Sequence, residues 1–184
     1  MPDLSDGVQA AWQIAEAEAV ELQHEFLESL HLFIGICSIE KLLSSEAQKK
    51  LPMAPGRAAT LRSEWDALAP LFVKIGLSPA TLRRDARSAL GRGNCAGDAT
   101  RKISHSEATR NALWRAAGLA EKGGATTIDL VHLLAALLND GWGDVTTFLA
   151  QHGVEVNALA AAGRSAAVQG SATVTPRDVP SGPR

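Results

Sequence analysis

The chain has 184 residues, 46% hydrophobic and 21% charged, which suits one core of ordinary domain size and is too apolar for a disordered chain. Lys plus Arg number 18 and Asp plus Glu 20, a formal charge of -2, so the charge balance gives no reason to expect nucleic acid or an anionic membrane as partner. Four Trp, four Phe and no Tyr leave too few aromatics for platforms that stack single strands.

In chain order, residues 1–7 are polar and acidic, without the basic start and apolar core of a signal peptide. Residues 8–24 place Ala11, Ile14, Ala15, Ala19 and Leu22 on one helical face, with Ser5 or Asp6 as cap. Residues 29–43 read as a second helix, apolar nearly all round and central to the core. Its longest apolar stretch, 30–39, is interrupted by His31, Gly35 and Ser38 and is too short to span a bilayer. Residues 44–63 hold Pro52, Pro55 and Gly56 and break the pattern. Helical spacing returns over 65–75, with Pro70 as a kink or junction and Gly76 as a stop. Ser78-Pro79 opens a basic helix to Leu90, and 91–100 reads as a flexible connector. Then the pattern restarts. Helices are expected over 106–122, from Thr127 or Asp129 through Leu138, over 144–152 and over 156–167. The Pro, Gly, Ser and Thr content of 168–184 reads as a linker or tail. The prediction is an all-α chain of eight helices in two sets of four.

The two sets are related. An offset of 101 residues lays His31-Leu32 on His132-Leu133, Ala11, Ala15 and Ala19 on Ala112, Ala116 and Ala120, and Glu28 on Asp129. Later in each set an offset of 77 lays Gly76 on Gly153, Phe72 on Leu149 and Leu82 on Leu159. One insertion of about 24 residues in the first set accounts for the difference. Two four-helix units about a pseudo-twofold axis would then bury one shared core.

His24-Glu25-Phe26 followed by His31-Leu32-Phe33-Ile34-Gly35, and Ser88-Ala89-Leu90-Gly91-Arg92-Gly93, carry a resemblance in the first unit. In the second it is carried by Ile103-Ser104, His132-Leu133-Leu134-Ala135-Ala136-Leu137-Leu138 and Gly153-Val154. Each unit resembles the Clp N-terminal repeat, found in tandem at the front of Clp-type AAA+ unfoldases, over roughly residues 8–165. The resemblance implies a double domain over 1–167, with repeat one at 8–93 including the insert 44–63, repeat two at 103–167, and the tail after it. It implies a docking module for unfolded clients or an adaptor, attached to the AAA+ ring of a parent protein. No G-x-x-x-x-G-K-[ST] motif occurs, so no cofactor is expected on this chain; ATP and Mg would belong to the parent's ring. Gly91-Arg92-Gly93-Asn94-Cys95-Ala96 has the outline of a dinucleotide fingerprint but follows a helix, not a strand. The low-complexity end favours the front piece of an unfoldase; a stand-alone adaptor or regulator of the same fold is the alternative.

Candidate residues follow from both readings. His31 and His132 invite a metal or catalytic role, but early in an apolar helix they read as structural. His31 cannot pair with Cys37, because six residues turn a helix by about 600° and leave the side chains about 120° apart. No catalytic triad or H-E-x-x-H occurs, and no enzymatic activity is expected. Cys37 in an apolar helix and Cys95 in a Gly-rich loop imply a reducing compartment, hence the cytoplasm. Many relatives carry an acid directly before the histidine, and in some it receives phosphorylated arginine. Here those positions are Leu30 and Val131, so weak phosphoarginine recognition is expected. Glu28 and Asp129 read as cap and dipole partners, or as acceptors for a basic client segment. The candidate partner-binding residues are Phe26, Glu28, Leu30, Asp129, Val131 and Trp142. Trp12 and Trp114 are expected in the core and Trp142 on a turn. Arg83, Arg84 and Arg87 read as a solvated face, and the insert, with Lys49, Lys50 and Arg57, as a place for a partner-specific contact.

Overall fold

In a computed structural model of the chain, residues 2–50, 53–95, 102–139 and 143–170 are described; Trp142 and residues 171–184 lie outside them. The fold is all-α, with nine helices among the described residues, one more than the periodicity predicts. Ser5 starts α1 (Asp6–Glu21), its Oγ accepting from the Val8 N–H at 3.2 Å. Ser106 starts α6 (Glu107–Gly123) in the same way, accepting from the Thr109 N–H at 3.2 Å. The apolar helices α2 (Ser29–Leu42) and α7 (Leu130–Leu138) follow, and they are the centre of the molecule. Leu32, Phe33, Ile34, Ile36 and Ile39 in α2, with Leu130, Leu133 and Leu134 in α7, have no exposed surface.

The remaining helices wrap this pair. In the first half these are α3 (Ser45–Lys50), α4 (Pro55–Ile75) and α5 (Pro79–Leu90); in the second, α8 (Asp144–Gln151) and α9 (Val156–Gly170). Packing repeats as the sequence does, with α1 on α2 and α2 on α5, matched by α6 on α7 and α7 on α9. The Phe33 ring on α2 meets the Phe148 ring on α8 edge to face, 6.0 Å between centroids, which joins the halves through the core.

Four two-residue strands tie the helix starts together. β1 (Asp3–Leu4) runs parallel to β4 (Thr127–Ile128), and β2 (Phe26–Leu27) runs parallel to β3 (Ser104–His105). At the 101-residue offset β1 becomes β3 and β2 becomes β4, so each half lends a strand to the other. The next hydrogen bonds obey the same rule: Ser5 N donates to Ile128 O at 2.9 Å, and Ser106 N donates to Leu27 O at 3.1 Å. Such reciprocal pairing between different halves is what a pseudo-twofold axis requires.

The insert departs from the sequence reading. Its second part is not a break but the beginning of α4, with Pro55 at the first helical turn, where a missing N–H costs nothing. Leu61, Trp65, Leu68, Phe72 and Ile75 form one buried stripe along α4, and the helix runs through Pro70, which sits on its exposed side. Burial of that stripe outweighs the lost hydrogen bond at Pro70. Arg87 is likewise not a solvated residue: its Nε and Nη2 lie 2.9 Å from Glu18 and 2.8 Å from Glu21, clamping α5 to α1. The connector also begins as bound backbone, since Gly93 N donates to Leu22 O at 2.8 Å and Cys95 N to Gln23 O at 2.9 Å.

α1 and α2 pack tightly at Gly35, where an added Cβ would stand 2.1 Å from the Ala11 carbonyl oxygen. The matching position in α7 is Ala136, which carries a Cβ. We expect Gly35→Ala to force α1 and α2 apart and to cost at least about 2 kcal/mol of stability. Urea denaturation measures this, and a loss below about 0.5 kcal/mol would refute the close-packing account.

Candidate functional site

Both duplicated helix starts are explained by capping. Glu28 precedes α2 and donates its N–H to His31 Nδ1 at 3.0 Å. Asp129 precedes α7 and does the same to His132 Nδ1 at 3.3 Å, while its own Oδ1 accepts from the His132 N–H at 2.9 Å. The duplicated histidines thus satisfy helix-start backbone; among the described residues no group of three or more His, Cys, Asp or Glu is placed to hold a metal ion.

The two histidines differ beyond the cap. Because His31 Nδ1 accepts, the neutral ring carries its proton on Nε2 and gives it to His24 Nδ1 at 2.8 Å. Ala125 stands where the first half has His24, and His132 Nε2 is buried with no hydrogen-bond partner among the described residues. Burial, then the neighbouring His24, pulls the His31 imidazole down from 6.5 to about 4. For Asp129, burial pushes the carboxyl up, but the hydrogen bonds from His132 outweigh it and hold the acid below its ordinary value.

Glu64, a residue that sequence reasoning assigned no role, joins the halves at a second point. Its Oε2 accepts from Ser5 Oγ at 2.8 Å and from Leu130 N at 3.2 Å, and its Oε1 accepts from Gly7 N at 3.1 Å. One carboxylate from α4 therefore caps the starts of α1 and α7 together, where both helix dipoles favour negative charge. A Cβ at residue 7 would stand 2.3 Å from Glu64 Oε2, so only glycine admits it. The matching residue in the second half is Ala108. Burial pushes the Glu64 carboxyl up against these three hydrogen bonds.

Of the predicted partner-binding residues, Phe26 is 40% exposed and Glu28 is half-buried. Leu30 and Val131 are each 5% exposed and belong to the core. Asp129 is half-buried and engaged by His132, and Trp142 lies outside the described residues. Trp12 is half-buried, with its Nε1–H on Glu16 Oε1 at 2.9 Å and its ring edge-on to His105. Trp114 corrects the expectation of a core residue: it is 69% exposed. It follows Ala112, which is buried, by two positions, about 200° round the helix.

Grooves open on the surface among the described residues. One, of about 380 Å³, lies where α4 meets the start of α5, lined by Trp65, Phe72, Val73 and Leu77 with Glu40 at its edge. Trp65 and Phe72 stack with centroids 5.5 Å apart, and Val73 beside them is 79% exposed. The groove at the matching place in the second half, about 460 Å³, is lined by Leu138, Ala150 and Val156 together with Thr146, Thr147, Gln151 and Asn157. Another, about 550 Å³, lies beside the turn between α1 and β2.

A duplicated all-helical module with apolar grooves and buried, structural histidines is the architecture of an interaction domain. The family model for the Clp repeat (R) N-terminal domain matches residues 58–152, just over half of the chain. The chain belongs to that family, whose domains are non-catalytic and serve protein–protein interaction. The matched span runs from within α4 through α8; α1 and α2 lie before it and are tied to it by the strand exchange. No curated protein matches the chain. Among the described residues no helix is long and apolar enough to cross a membrane.

His31 makes stability depend on pH. Its folded pKa is depressed, so its contribution is complete above about 6.5 and is lost as pH falls toward about 4, roughly 3 kcal/mol in all. Gln at the same cap position keeps an acceptor without the titration. Urea midpoints at pH 7 and pH 4.5 should therefore fall further in the native chain than in His31→Gln, by about 2.5 kcal/mol; parallel losses would sink the assignment.

Proposed function

We propose that this chain is the partner-docking N-terminal domain of a Clp-type AAA+ unfoldase, and that it holds apolar segments of unfolded clients or of an adaptor. The observation that carries the reading is the groove at the α4–α5 junction. Its exposed Val73 stands beside the Trp65–Phe72 stack, and its lining is predominantly apolar. An open apolar cleft on a non-catalytic domain is a surface for a partner. With few large anchors the binding is weak and reversible, which suits a module that passes clients onward. ATP and Mg would act on the parent's ring, not on this chain. A cytoplasmic location accords with the buried free thiol of Cys37. A free-standing adaptor would use the same groove.

Phosphoarginine recognition does not belong to this reading. Leu30 and Val131 offer no carboxylate to a guanidinium, and the α1 and α7 starts already bind the carboxylate of Glu64. Calorimetry with phosphoarginine should show no phosphate-dependent binding, and tight binding would overturn this part.

Val73 is exposed, so Val73→Asp leaves the core intact while putting a charge beside the Trp65–Phe72 stack. We expect it to reduce capture of a chemically unfolded model protein by the full chain about tenfold, with unchanged melting temperature. Undiminished capture would remove this groove from the proposal.

A further inference from the structure

We infer that the groove beside the α1–β2 turn docks a basic, extended segment of a protein partner, once per chain. The inference rests on the interaction-domain reading above and names a second, chemically distinct surface. The groove, about 550 Å³ and predominantly apolar, is lined by Gln23, Glu25, Phe26, Glu28 and Leu90 among others. Phe26, 40% exposed, lines the groove together with the two glutamates. Neither Glu25 nor Glu28 forms an ion pair among the described residues. Arg92 stands nearby but donates its Nε–H to Gln23 Oε1 at 3.2 Å. An aromatic face beside two unpaired carboxylates complements a guanidinium or ammonium group through ring electrostatics and charge-assisted hydrogen bonds.

Only the first half carries these groups. The residues matching Glu25 and Phe26 are Thr126 and Thr127, so the second half lacks both the ring and the second carboxylate, while Glu28 and its match Asp129 each serve a capping box. The backbone differs at the same place. After α6 the chain turns through Gly124 at φ 74°, with Ala125 N donating to Ala120 O at 2.9 Å. After α1 the same turn, with His24 N donating to Ala19 O at 2.9 Å, passes through Gln23 at φ 60°. Glycine occupies this left-handed position without strain, so Gln23 costs stability there while its side chain lines the groove.

Fluorescence anisotropy tests this with the full chain and a short labelled peptide of arginines in a Gly–Ser background. The control replaces every arginine by citrulline, which keeps the shape and removes the charge. The expected result is one-to-one, salt-sensitive binding of the arginine peptide, at least about tenfold weaker for the citrulline peptide. Phe26→Ala, and the double variant Glu25→Gln with Glu28→Gln, each weaken it about tenfold. Gln23→Gly weakens binding severalfold yet raises the melting temperature by about 3 °C, a combination that a purely structural role would not give. Val73→Asp leaves peptide binding unchanged. Equal binding of the two peptides, no measurable binding of either, or binding insensitive to both groove variants overturns the inference. Capture of the unfolded protein is read separately, so such a result leaves the α4–α5 groove standing.

Discussion

Ser5 and Ser106 each stand where the two halves of the molecule meet. In each case the hydroxyl caps its own helix, while the backbone N–H donates to a carbonyl in the opposite half, Ile128 for Ser5 and Leu27 for Ser106. The strands beside them are too short to persist alone, and they survive because the helices they introduce are packed into a common core. That core depends in turn on α2 and α7, which are apolar on nearly every side and need cover from both halves. Exchange at the helix starts and burial at the centre therefore support each other, and neither half has a complete set of hydrogen bonds without the other.

Within that frame the halves have diverged where symmetry is not required. Gly35 lets α1 and α2 approach backbone to backbone, and the equivalent residue of α7 is Ala136. Gly7 admits the Glu64 carboxylate to the α1 start, and the equivalent residue of α6 is Ala108. The effect is a first half richer in specific chemistry: a bridging carboxylate, a histidine pair, an apolar groove and an acidic, aromatic one. The second half keeps the caps and the core, and the lining of its groove includes Thr146, Thr147, Gln151 and Asn157, with Ala150 at the position of Val73.

Much of this was legible in the residues. The alanine and leucine stripes of α1, α2, α6 and α7 announce themselves, and the strand exchange, which the sequence reading did not foresee, follows the same offset of 101 residues. The histidine starts were correctly read as structural. The insert misled, because Pro55, Gly56 and Pro70 look like breakers one at a time. Leu61 and Trp65 belong to one buried stripe only once the core is there to cover it. Trp114 misled for the opposite reason: a large apolar side chain suggests burial, but its angle on α6, fixed by Ala112, Ala116 and Ala120, points it to solvent.

Periodicity and internal repetition can be read from the chain alone, so the sequence by itself determined the helical class, the internal repetition and the caps of the helices that begin after Ser5, Glu28, Ser78 and Asp129. Which surfaces remain open is not local. It depends on what packs against what, and only the tertiary structure decided that Leu30 and Val131 lie inside and that Phe26 and Val73 stand at grooves. It also decided the role of Glu64. Its partners, Ser5, Gly7 and Leu130, are far from it in sequence, and a carboxylate becomes a cap for two helices only when folding brings both N-termini to the same point.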